Sequence, residues 1–232
     1  MTVSPRLAVA ALVVASFASV AAADVVVGWT IPAAFPTNPP PTGTSYSVGA
    51  ADQGANALGS ALSGSHASTA TAWTSPAGNG SPFSFSSNNW AIGDYYEARF
   101  ATTGFTDLTL SWDQARSSTG PLSWEVIVST DGGANFTTLL NYDVLQSGGG
   151  GAPGTWTSGS YNPLYTTSLA LSSDFGDLAD VIVRFRALTA PGGVSGSSRI
   201  DNVFVNGTLI PAPGAIALLG VAGAFRSRRR AR

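Results

Sequence analysis

The octapeptide VIVRFRAL, Val181–Leu188, decides how this chain folds. Val181, Val183, Phe185 and Ala187 alternate with Arg184 and Arg186, so one face is apolar and the other charged. A period of two is that of a half-buried β-strand. LTLSWD, Leu108–Asp113, repeats it, with Leu108, Leu110 and Trp112 facing one side and Thr109, Ser111 and Asp113 the other. WEVIVS (Trp124–Ser129), DYYEARFA (Asp94–Ala101), FTTLLNY (Phe136–Tyr142) and RIDNVFV (Arg199–Val205) are further strand candidates, and VVVGW is strand-like directly after Asp24. No long stretch between Asp24 and Asn206 has the i, i+3, i+4, i+7 spacing of an amphipathic helix.

Glycine-, proline- and serine-rich punctuation separates these runs (SPAGNGSP, SSTGP, DGGAN, SGGGGAPG, APGGVSG). Many short strands at regular spacing predict an all-β, antiparallel β-sandwich of jelly-roll type over residues 24–206. Five prolines in residues 31–43 predict an extended segment outside the sheet interior. No repeat of 20–50 residues is present, which argues against a propeller or solenoid. The stretch SWDQARSSTGPLSWEVIVSTDGGANFTTL, closing with RIDNVFVNG, resembles exported jelly-roll domains, among them carbohydrate-binding modules.

Composition narrows the function classes. The 232 residues contain no Cys, which excludes disulfides, zinc–thiolate sites and a cysteine nucleophile. Only 10% are charged but 44% are hydrophobic, enough for a packed core rather than a disordered chain. Residues 24–225 carry five Arg against thirteen acidic residues, a net charge of −8. An acidic body repels phosphate backbones, so nucleic acid is not an expected partner.

The two ends carry the remaining signals. Arg6, an apolar run from Leu7 to Phe17 and Ala21-Ala22-Ala23 before Asp24 have the layout of a secretory signal peptide over residues 1–23. Export without cysteine fits a bacterial protein. The last segment, residues 207–232, includes IPAPGAIALLGVAGAFRSRRRAR (Ile210–Arg232). Its apolar run Gly214–Phe225, with Ile216, Leu218, Leu219 and Val221, predicts a short hydrophobic helix of about 18 Å. That is short for a bilayer core of about 30 Å. Arg226, Arg228, Arg229, Arg230 and Arg232 read as a stop signal on the cytoplasmic side.

Pro211-Ala212-Pro213, the short Gly/Ala/Leu-rich segment and the terminal arginines, in that order, resemble the PEP-CTERM sorting signal, with Ala212 where that family has Glu. The resemblance implies an exosortase-like processing enzyme as a partner, transient contact with the membrane, and delivery to the outer surface or an extracellular matrix.

Candidate site residues in the body are few. Trp90, Tyr95, Tyr96, Trp156 and Tyr161 are the aromatics expected on loops or strand ends, where flat faces stack on sugar rings; Trp112 and Trp124 are expected in the core. STDGGANF, Ser129–Phe136, resembles the Asp-box of sialidase-like proteins, and a single copy reads as a hairpin turn in which Asp131 accepts backbone N–H groups. The jelly-roll likeness implies a candidate structural Ca²⁺ at Asp201, with Asp24 as a candidate second ligand; no other cofactor is implied. His66 is the only histidine, and Glu97 and Glu125 are the only glutamates. No nucleophile elbow, metal cluster or phosphate loop accompanies them. The expected function is a non-catalytic surface or matrix protein. The alternatives are polysaccharide binding through the loop aromatics and glycan hydrolysis by Glu97 and Glu125.

Overall fold

The computed structural model describes residues 23–37, 39–148 and 152–211. The candidate leader up to Ala22, together with Ala212, Pro213, the apolar run Gly214–Phe225 and the arginine cluster, lies outside the described residues.

Two antiparallel sheets form a β-sandwich. In the first, β10 (Thr166–Ala170), β7 (Phe105–Arg116), β12 (Ser198–Leu209), β5 (Phe85–Ser87) and β4 (Trp73–Thr74) lie in that order, and β1 (Asp24–Trp29) also pairs with β12. The second runs β2 (Ser45–Gly49), β3 (Ala61–Ser65), β6 (Tyr95–Phe100), β11 (Val181–Ala187), β8 (Ser123–Ser129) and β9 (Thr137–Asp143). Among the described residues helix is confined to two 3-10 turns, Pro163–Tyr165 and Ser173–Phe175, and none is long and apolar enough to cross a membrane.

The alternation in the sequence builds the core. Val181, Val183, Phe185 and Ala187 of β11 are fully buried and face Leu108, Leu110 and Trp112 of β7 across the sandwich. Ile200, Val203 and Val205 of β12 join them, as do Trp124, Val126 and Val128 of β8. Trp112 packs at a tilt against Phe185, with ring centroids 5.0 Å apart and planes 52° apart. The described residues of 31–41 contribute no strand, in keeping with their prolines.

β12 organises the first sheet. Its first half pairs with β5 (Ser198 opposite Ser87) and its second half with β1 (Gly207 opposite Asp24), while β7 lines its other edge. It continues to Leu209, three residues past the expected boundary at Asn206. Between Asp201 and Phe204 it takes one residue more than β7, a bulge centred on Asn202 at φ 46°. Asn tolerates that left-handed conformation better than most residues.

One expected orientation needs correction. Asp113 does face away from the core, yet it is only 1% exposed. The outer face of the first sheet is roofed there by residues 76–84 and 154–165, whose Trp156 and Tyr165 form a small second core with Ala115. Alternation assigns a side of the sheet and says nothing of what covers that side.

Candidate functional site

The register fixes two poles. Asp24 lies opposite Gly207 on β12, so the segments that precede Asp24 and follow Leu209 depart from one end of the first sheet. Eleven steps along β12, roughly 36 Å away, Ser198 marks the opposite end. The loops 88–93 and 188–197 meet there: the Asn89 N–H donates to the Val194 carbonyl at 3.1 Å and the Gly93 N–H to that of Ala187 at 2.9 Å. Together with 66–71 and 117–122, these loops contain no Asp, Glu, Arg or Lys. They enclose a shallow groove of about 620 Å³ lined by Ser68, Asn89, Trp90, Ala91, Pro191 and Val194. Ile92, 67% exposed, and Val194, 77% exposed, stand on this distal pole.

Beneath the groove lies an arrangement that no sequence motif announced. His66 Nδ1 is 3.3 Å from Asp94 Oδ2, and its Nε2 is 3.1 Å from Ser87 Oγ. Acid, imidazole and hydroxyl stand in the order of a hydrolytic triad. The hydroxyl is sealed, however: Ser87 is 1% exposed, and Trp90 lies against the imidazole with centroids 4.1 Å apart. Ser87 Oγ is also 3.3 Å from the Tyr96 hydroxyl, which donates to the Ser198 carbonyl. Asp94 accepts the Ala67 and Ala91 N–H groups at 2.8 and 2.6 Å. Burial pulls His66 down from 6.5 to about 4, so the ring is neutral and links β3 to β5 through hydrogen bonds. In this conformation no substrate carbonyl reaches Ser87, and the line of groups acts as a polar core.

The aromatics expected to stack on sugars divide sharply. Trp90, Tyr96 and Trp156 are 4%, 0% and 9% exposed and present no free face, which corrects the expectation for all three. Their N–H and O–H groups find carbonyls (Trp90 to Ser87, Trp156 to Ala77), so each ring can bury its apolar body. Tyr161 is 54% exposed, with its hydroxyl 2.6 Å from Thr166 Oγ1. Tyr95 is half-buried on the outer face of the second sheet. There the Arg184 guanidinium lies 4.1 Å from its ring and 4.2 Å from that of Phe136, a cation held between two π faces. The aromatics do not converge on one site.

Both glutamates lie on this outer face in ion pairs, Glu97 with Arg184 at 2.7 Å and Glu125 with Arg186 at 2.6 Å. Glu125 also accepts from Thr138 at 3.0 Å. The β8–β9 turn behaves as its sequence implied. Asp131 accepts the Asn135 N–H at 3.0 Å and the Ser129 hydroxyl at 2.7 Å, while Gly132 and Gly133 take φ of 75° and 93°. These hydrogen bonds, the Asn135 N–H first, hold the Asp131 carboxyl well below the usual carboxylate range.

Asp201 tests the calcium expectation. It is completely buried beside Asp113, its partner across β12 and β7. Oδ2 accepts from Ser81 Oγ at 2.5 Å and from the Asn79 N–H at 2.8 Å, whereas Oδ1 has no hydrogen-bond partner. Asp113 accepts from Asn79 Nδ2, Asn202 Nδ2 and Thr166 Oγ1. The carboxylates thus face N–H and O–H donors, and calcium needs six to eight oxygens. Asp24 stands opposite Gly207, six residues along β12 and roughly 20 Å away, so the structure does not bring the two candidate ligands together. No group of three or more His, Asp or Glu suited to a metal occurs among the described residues. This donor-lined pair does not fit Ca²⁺. Burial instead raises the Asp201 carboxyl from 3.8 to about 7, so it retains its proton through mildly acidic pH.

The sequence matches no protein-family model and no curated protein. Among solved structures, it is similar to the N-terminal endo-1,4-β-D-xylanase 10B of Clostridium thermocellum, CBM22-1 and GH10 modules complexed with xylohexaose. The identity is 14% over 78% of this chain and 28% of that one, with a TM-score of 0.44. A cleaved adhesin domain of Lys-gingipain from Porphyromonas gingivalis aligns at 15% identity over 78% and 98% of the two chains, TM-score 0.43. TmCBM61 in complex with β-1,4-galactotriose aligns at 8% identity over 64% and 88%, TM-score 0.33. This chain spans 28% of the xylanase. Likeness this loose carries no argument about ligand or activity, and the class, an antiparallel β-sandwich, stands on the strand register itself.

Proposed function

We propose that this chain is an exported, non-catalytic β-sandwich protein that its C-terminal segment delivers to, or holds at, the cell surface or an extracellular matrix. One observation carries the reading: both terminal segments leave from the same pole, with Asp24 opposite Gly207. The sequence supplies the rest, a leader ending at Ala23 and a Pro-Ala-Pro, apolar, arginine-tipped tail. A tail at that place tethers the sandwich by one end and presents the uncharged loops at the other. An exosortase-like enzyme would act near Pro211–Pro213. Replacing the five tail arginines with Ser in the native host tests the tether. The expected result is loss of the protein from the envelope fraction into the medium; unchanged retention would contradict it.

A second reading, binding of a neutral polysaccharide, is favoured by the groove on the distal pole, where loop carbonyls and the half-buried Asn89 amide lie beside apolar Ala91, Pro191 and Val194. Its test is binding to the host's own exopolysaccharide with Val194→Asp beside the wild type. Weakened binding is expected, and equal binding would move the site elsewhere. Trp90→Ala and Trp156→Ala are unsuitable for this purpose because both rings are buried.

A further inference from the structure

The pole that bears Asp24 and Leu209 also bears the most exposed large apolar side chain among the described residues. Leu58 is 97% exposed on the turn between Gly54 and Gly59. The turn is well fastened: Ala55 and Asn56 donate their N–H groups to the carbonyls of Val25 and Val26 at 3.0 and 2.8 Å. The Asn56 amide donates to the carbonyls of Ala101 and Thr103 at 3.0 and 3.1 Å. The neighbouring Gly104 carbonyl accepts the Ile210 N–H at 2.8 Å. The Leu58 turn and the departing tail therefore flank one loop, where Leu209 and Ile210 are 51% and 42% exposed. A single exposed leucine is ordinary, but these three stand where an apolar segment leaves.

The sequence limits how far apart sandwich and segment can be. Only Pro211, Ala212 and Pro213 separate Ile210 from Gly214. Four Cα–Cα steps reach about 14 Å at most. The headgroup zone on one side of a bilayer is about 5–8 Å deep. With Gly214–Phe225 in a membrane, this pole lies against the headgroups. Its exposed acids, Asp24, Asp107 and Asp177, would be repelled by anionic lipid.

We propose that Leu58, with Leu209 and Ile210, is a lipid contact that seats this pole on a zwitterionic membrane surface; the proposal rests on the tethered reading above. The absence of native cysteine allows a clean test. The full chain carrying Leu58→Cys, or Val194→Cys on the distal pole, is labelled with an environment-sensitive fluorophore and reconstituted with phosphatidylcholine vesicles, whose association is scored by flotation. The expected result is flotation with blue-shifted, quencher-protected emission at position 58 and water-like emission at 194. Replacing part of the lipid by phosphatidylglycerol should shrink the shift at 58, and a larger shift there would overturn the zwitterionic preference. Flotation with water-like emission at 58 overturns this contact and leaves the tether standing. Failure to float overturns both. Leu58→Ser, at so exposed a position, should leave thermal unfolding unchanged, which separates lipid contact from folding.

Discussion

His66 sits between Asp94 and Ser87, against the rings of Trp73 and Trp90, and is neutral because charging it would bury a cation. An unfolded chain protonates histidine near 6.5, but the folded protein does so only near about 4. Between these values the unfolded state binds more protons, so stability is full above about pH 6.5 and declines as pH falls toward 4. The melting temperature should drop across that window, and the drop should shrink in His66→Gln; parallel curves would contradict the assignment. Asp201 has the opposite sign. The folded state keeps its proton up to about 7 and the unfolded state loses it near 3.8, so stability declines as pH rises between those values. Asp201→Asn should gain on the wild type from pH 4 to 7, and calcium chloride should leave the wild-type melting temperature unmoved; a calcium-dependent rise would contradict the donor-lined reading. Trp90, buried over His66, should cost about 3–5 kcal/mol on truncation to Ala in urea unfolding.

At the scale of elements, the bulge in β12 sets the geometry of the buried acids. Asn202 adopts φ 46° and donates both to Asp113 Oδ2 and to the Asn79 carbonyl. Asn202→Ala loses both bonds and places a Cβ residue without a local partner in a left-handed conformation, for an expected cost of about 2 kcal/mol in denaturant unfolding. A loss below about 0.5 kcal/mol would mean that the bulge is held by its neighbours instead. The long strands β7, β8 and β11 were legible because their apolar residues alternate over five or more positions, and β12 from its apolar Val203–Val205 run despite the bulge that interrupts its alternation. β3 (ALSGS), β4 (WT) and β5 (FSS) were not, since short Ser-rich runs carry no alternation to read. The burial of Trp156 and Asp113 escaped for another reason: loops fold across the outside of the first sheet, one of them tucking its own Trp156 inward while together they cover Asp113. The Asp94–His66–Ser87 line joins the ends of β6 and β3 in the second sheet, paired side by side, to β5 in the first, a meeting across the sandwich that no local spacing could announce.

The whole molecule is a polarised sandwich. One pole has Asp24 and Leu209, exposed aspartates and Leu58; the other has uncharged loops over a neutral histidine. Acidic charge along the body disfavours contact with anionic polymers, and the neutral polysaccharide of the second proposed reading would meet the uncharged loop pole. All of this acquires meaning only if the chain is exported and kept by its tail. Mass spectrometry of the protein from fractionated native cells tests that claim most directly. The account predicts a chain beginning at Asp24 in the envelope or extracellular fraction. An intact Met1–Arg232 chain, soluble in the cytosol, would contradict it.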